Sequence, residues 1–163
     1  MAVSEAEQAR QQTIQIIAER YQPLFKYLKS KKCLRQKSGD FTFDISFTGS
    51  KYGELRVFVS VETSIAPPDA NCIFISPLVN LTRKYKKIDS YHVITISERE
   101  RVIEEICRYI DEYVLPFFAR FEQIEVLSQE VSKQGFLPHR KNWDRFSLTT
   151  KRFLELYPPS ASS

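Results

Sequence analysis

The chain is poor in the residues on which most recognisable chemistry depends. Its 163 residues include 4 glycines, 3 cysteines, 2 histidines, 1 tryptophan and 1 methionine. Gly39, Gly49, Gly53 and Gly135 never fall into G-x-G-x-x-G or G-x-x-x-x-G-K-[ST], which excludes the common phosphate-cradling loops. A G-x-S-x-G nucleophile elbow is absent as well. His92 and His139 stand apart, with no H-E-x-x-H, C-x-x-C or C-x-x-H spacing, so neither a zinc site nor a histidine-based triad is expected. Cys33, Cys72 and Cys107 are odd in number and widely spaced, which argues against a disulfide framework and for a reducing compartment. Of the three thiols, Cys33 follows Lys31 and Lys32, whose charge would favour its ionisation most. No apolar run approaches the ~20 residues that cross a bilayer. The start, Met1-Ala-Val-Ser-Glu-Ala-Glu, lacks the apolar stretch of a secretory signal. These absences lead to the expectation of a cytoplasmic protein with no cofactor, no metal and no membrane anchor.

Hydrophobic residues and rings are plentiful. The hydrophobic fraction is 42%, with 12 Phe and 8 Tyr, and the length suits one domain that folds without staples. Lys and Arg number 24 against 20 Asp and Glu, a net charge of +4 that permits nucleic acid without arguing for it.

Periodicity supplies the fold. Ile14, Ile17, Tyr21, Leu24, Phe25 and Leu28 recur at three- and four-residue steps and predict a helix over 4–32. Pro23 inside it calls for a kink, or for a second helix starting near Gln22. From Gly39 the period becomes two. Phe41, Phe43, Ile45 and Phe47 alternate with polar residues, as do Leu55, Val57, Val59 and Val61 after a turn through Gly49–Gly53, and the two runs read as a hairpin. Residues 71–76 predict a third strand and His92–Ile96 a fourth, in an antiparallel meander. Ser97 and Glu100 have the form of a capping box for a helix with an apolar stripe through Val102, Ile106, Ile110 and Val114. Pro116 should interrupt it; Phe117, Phe121, Ile124, Leu127 and Val131 then carry a second helix to Gly135, and a short helix covers Leu148–Leu156. The expectation is a single α+β domain over residues 1–157. In it an antiparallel sheet of about four strands packs against the N-terminal helix and a long Pro-interrupted pair, with the phenylalanines of 41–47 and 117–121 meeting in the core. Residues 158–163 form a disordered tail.

Charge is segregated into basic clusters. Lys26, Lys29, Lys31, Lys32, Arg35 and Lys37 fall in twelve residues with no acid; Arg83, Lys84, Lys86 and Lys87 surround Tyr85; Arg140, Lys141, Arg145, Lys151 and Arg152 surround Trp143 and Phe146. Cations interleaved with aromatics suit phosphates and bases, or the steering of an acidic protein, or simply a solvated surface. Trp143 is either a partner anchor or a pin for the C-terminal segment. Glu98, Glu100, Glu104, Glu105, Asp111 and Glu112 crowd one helix and read as a solvated or an acidic binding face.

The segment Leu24-Phe-Lys-Tyr-Leu-Lys-Ser-Lys-Lys-Cys-Leu-Arg-Gln-Lys-Ser-Gly-Asp-Phe-Thr-Phe43, together with Tyr113-Val-Leu-Pro-Phe-Phe118, resembles the uncharacterised DUF4304-type bacterial domains over about residues 10–130. The usual glycine of the basic turn is replaced by Cys33-Leu34. The resemblance implies a helix–meander–helix layout, which also occurs among bacterial immunity proteins that bind a toxin, and it carries over no functional residue. The function expected is therefore a non-enzymatic, immunity-like interaction module, with Lys29, Lys31, Lys32, Arg35, Arg83, Lys84, Lys86, Lys87, Arg140, Lys141 and Trp143 as partner-binding residues. Nucleic-acid binding through the basic clusters is the alternative, and an enzyme without a recognisable motif the third.

Overall fold

Ser4 opens the fold as an N-cap, its hydroxyl accepting the Glu7 amide at 3.1 Å, and helix α1 follows over Glu5–Tyr21. The computed structural model describes residues 4–49, 53–82, 90–92, 95–140 and 147–160. Ile14, Ile17, Ala18 and Tyr21 form the buried stripe of α1. The helix stops there instead of running to residue 32. Pro23 supplies no amide to the ladder, and the chain turns through Leu24 and Phe25 amides that both donate to the Tyr21 carbonyl. Leu24 consequently lies 56% exposed, outside the stripe that its spacing suggested.

The basic segment that follows is a β-hairpin, β1 (Lys26–Leu28) and β2 (Cys33–Ser38), continued by β3 (Phe41–Gly49), β4 (Glu54–Thr63) and β5 (Cys72–Pro77). These five strands lie side by side in chain order, each antiparallel to the next. A sixth, β6 (Ser90–His92), pairs with Glu54–Arg56 of β4, in line with β5, which takes Phe58–Glu62 of the same strand. The meander is therefore longer than the expected four strands: β1 comes from the end of the segment read as helix, and β2 from the stretch after it, to which no element was assigned. A hairpin shields its amides by pairing, so Tyr27 opposite Leu34 and Leu34 opposite Ile45 override a helical spacing of apolar residues. A bulge between Val61 and Glu62 leaves both Ile73 and Phe74 buried. Gly53, at φ 88°, closes the β3–β4 connection against α1: a Cβ there would sit 2.9 Å from the Ala6 Cβ.

The helical half begins with α2 (Ile96–Tyr109). Its capping box is built two residues earlier than the sequence suggested, with Thr95 as N-cap and Glu98 reaching back to the Thr95 amide at 3.1 Å. Threonine at 95 has the extended backbone a cap requires, whereas Ser97 is already inside the first turn. Val93 and Ile94, part of the expected fourth strand, lie outside the described residues. Ahead of Pro116 the helix widens into a π-turn over Ile110–Val114, where the Leu115 amide reaches back five residues to Ile110. The proline ring would press on the carbonyl four residues before it, and one inserted residue relieves that clash. Helix α3 (Leu115–Ala119) then runs into α4 (Ile124–Gln134), which ends at Gly135 with φ 77°. Helix α5 (Leu148–Leu156) matches the span read from the sequence. Beyond it, Ser160 accepts a hydrogen bond from Gln129.

One sheet face meets these helices in an aromatic core. Phe43 stacks on Phe118 at 4.6 Å, and Phe41 meets Phe121 edge-on at 5.0 Å. The chain of rings continues through Phe117, Phe74, Phe136 and Phe153 to Tyr157. The phenylalanines of 41–47 and 117–121 thus meet as their alternation implied. The opposite face carries Arg35, Asp44, Ser46, Phe58, Ser60 and the exposed Ile75.

Candidate functional site

The β1–β2 hairpin forms one edge of the sheet and gathers the first basic cluster. Its turn is short: the Lys31 amide donates to Leu28 and the Lys32 amide to Lys29. Lys32 takes a left-handed conformation, φ 50°, which costs a side-chain-bearing residue roughly 1 kcal/mol. The Phe47 amide, donating to the Lys32 carbonyl at 2.9 Å, holds it there from β3. The turn is thus fixed by its neighbour in the sheet.

Strand alternation sorts the cations. Lys26, Arg35 and Lys37 share the outer face with Asp44, because Lys26 lies opposite Arg35 and Arg35 opposite Asp44. Arg35 grips Asp44 with two bonds, both 2.8 Å long, and that carboxylate is 8% exposed. This hydrogen-bonded pairing is the main reason the Arg35 pKa stands above its usual range. Its charge is already spent inside the fold. Lys26, Lys29, Lys31 and Lys37 are exposed and Lys32 half-buried, and among the described residues none of the five makes an ion pair.

Cys33, the thiol whose sequence neighbours would favour ionisation most, is buried and not activated. It is 3% exposed, and burial followed by the charge of Asp44 raises its pKa, outweighing Arg35 and Lys31. Lys31 does act on the thiol in the expected direction, but burial outweighs it.

Between the hairpin and α1 lies a cleft of about 470 Å³. Ile14 and Ala18 form its floor, Tyr27 one wall, and Gln11, Gln15, Glu19 and Gln22 of α1 the other, with Lys29 and Lys32 on the turn side. Burial, then the Cys33 thiol, raises the Tyr27 pKa above its usual value and keeps the phenol neutral. Sequence reasoning missed this site. The signal was the recurrence of Gln11, Gln15 and Gln22 on one face of α1, which acquires meaning only once the hairpin folds back across it.

A second cleft, of about 560 Å³, separates α1 from α2 and the π-turn. The Tyr21 hydroxyl donates to Asp111 at 2.7 Å and lies 3.0 Å from the Cys107 carbonyl. Burial, and then the bond to Asp111, push that phenol far above its usual pKa. Glu104, Arg108 and Glu112 line the rim, so part of the acidic helix faces this cleft. The Tyr21–Asp111 bond ties α1 to the π-turn.

The remaining basic residues lie elsewhere. Arg140 belongs to a short turn, Pro138–Arg140, whose His139 bonds the Asn80 carbonyl at 3.0 Å. Arg152 of α5 donates to the Cys72 carbonyl on β5. Since β1 and β5 are the two ends of the strand order, four strand spacings of about 4.8 Å put roughly 19 Å between the first and third clusters. Among the described residues, the cations of the first cluster and Arg152 of the third thus lie at opposite edges of the sheet. Arg83, Lys84, Lys86 and Lys87, like Lys141 and Trp143, lie outside the described residues. Among the described residues no group of three or more His, Cys, Asp or Glu side chains is placed to hold a metal ion, and no helix is long and apolar enough to cross a membrane. Comparison of the chain with protein-family models, curated proteins and solved structures finds no match.

Proposed function

We propose that the protein is a non-enzymatic interaction module that binds an acidic protein partner through the β1–β2 hairpin. The observation that carries this reading is the hairpin's unneutralised charge. Five lysines stand in a span without a carboxylate; Asp44, the acid opposite the segment on β3, is taken by Arg35, and Glu19 across the cleft makes no ion pair with them. Such a surface steers an oppositely charged protein toward one edge of the sheet. The rigid turn limits the conformational cost of binding. The helix–meander–helix layout is compatible with an immunity-like role in which binding neutralises the partner. The separation of the two described basic clusters favours a compact protein contact over a continuous track along nucleic acid.

The test is capture by the purified chain from its source cells at graded salt, beside a Lys29→Glu/Lys31→Glu variant and a Lys151→Glu variant at the opposite edge. The reading expects one stoichiometric acidic protein, lost with the hairpin variant and kept with the distal one. Recovery of nucleic acid in its place, or of no stoichiometric protein at any salt, would refute it.

A further inference from the structure

We infer that the partner segment received by the hairpin is an acidic peptide with an apolar anchor residue, and that the anchor side chain enters the cleft between α1 and β1. This inference rests on the interaction-module reading and names the chemistry of its ligand.

Three properties of the cleft converge on that occupant. Its volume of about 470 Å³ lies in the range of roughly 300–1,000 Å³ typical of ligand sites, more than one side chain needs and enough for a side chain with its adjoining backbone. Its floor is apolar: Ile14 and Ala18 are packed into the core from below, and the small alanine gives the cleft its depth. Its walls are amides and ammoniums. Gln11, Gln15 and Gln22 each offer a donor and an acceptor, the same pair a peptide group offers. Lys29 and Lys32 stand on the turn side, where carboxylates flanking an anchor would meet them. The one acid of the lining, Glu19, accepts a bond from Gln15 one turn away on its own helix. A purely acidic surface would satisfy the lysines and leave the floor wet. A purely apolar ligand would leave the lysines and glutamines unused. An apolar residue between acidic ones satisfies both.

The experiment uses the full chain and three fluorescein-labelled probes, followed by polarisation: a peptide Glu-Asp-Leu-Asp-Glu, the same peptide with Gly at its centre, and N-acetylleucine. The leucine peptide should bind about tenfold more tightly than the glycine peptide, the gain from partly burying one leucine at about 1.4 kcal/mol per decade. Filling the cleft from the exposed face of α1 with Gln15→Trp, or independently with Gln22→Trp, should remove that preference, so that the two peptides bind alike; a tenfold preference retained in both variants would overturn the anchor. Lys29→Glu/Lys32→Glu should weaken both peptides. Equal binding of the two peptides, with dependence on the lysines retained, would overturn the anchor and leave the interaction-module reading intact. Failure of every peptide to bind, or N-acetylleucine binding as tightly as the leucine peptide, would also overturn it. The interaction-module reading itself stands or falls on the capture experiment.

Discussion

Replacing Arg35 should cost the fold more than replacing its partner Asp44. The two side chains face each other across β2 and β3 with two 2.8 Å bonds, but they are unequally buried: the arginine is 24% exposed and the aspartate 8%. Arg35→Met keeps the aliphatic stem and leaves a carboxylate with little access to water. That is the situation in which breaking a pair costs about 3 kcal/mol or more. Asp44→Asn leaves a guanidinium that can turn to solvent and still donate to the carboxamide oxygen, so its cost should be nearer about 1–2 kcal/mol. The pair Arg35→Met/Asp44→Leu removes both charges and should recover most of the loss of the single Arg35 variant. Urea denaturation followed by circular dichroism reads all four proteins. With a slope of about 2 kcal/mol per molar, the Arg35 variant should shift its midpoint by roughly 1.5 M and the Asp44 variant by half that, with slopes unchanged. Equal shifts, or an Asp44 variant that is the weaker fold, would show that burial does not set the balance between the partners. A double variant no more stable than the Arg35→Met single would show that the stranded Asp44 carboxylate is not the source of the loss.

The core makes a second prediction: Phe43→Ala should cost about 3–5 kcal/mol, and a double-mutant cycle with Phe118, stacked on it at 4.6 Å, should give a coupling of about 0.5–1.5 kcal/mol by the same denaturation assay. Thiol titration with a disulfide reagent should find Cys72, which is half-buried, reacting first, while Cys33 and Cys107 wait for unfolding; fast labelling of Cys33 would contradict its burial. Stability should be level through neutral pH and fall under alkali. Burial raises the folded-state pKa of Tyr21, Tyr27, Tyr91 and Tyr157, so the unfolded chain loses these protons first, from about pH 10, and each loss draws the equilibrium toward it. Melting temperatures from pH 6 to 11, with tyrosinate absorbance appearing together with unfolding, check the sign.

The alternation of Phe41, Phe43, Ile45 and Phe47 was a reliable guide because a strand with one buried face has no other way to arrange its side chains. The same holds for Leu55–Val61 and for the stripes of α2 and α4. The segment from Leu24 to Lys32 was misread as helix for an equally physical reason. Short apolar runs fit either period, and the partners that decide between them, Ile45 and Phe43 on β3, come later in the chain. The capping box slipped by two residues because Thr95 and Ser97 both precede a glutamate at the right spacing, and only the backbone at Thr95 distinguishes them.

By itself, then, the order of residues determined the α+β class, the meander, the aromatic core and the presence of an acid-free basic stretch, all of which follow from local period and composition. Tertiary structure alone decided that this stretch is a hairpin at the sheet edge, that Arg35 is bound to Asp44 while the lysines are not, and that α1 and β1 enclose a cleft. Each of those depends on which strand lies beside which, and a residue's neighbours across a sheet are set by the packing of the whole chain.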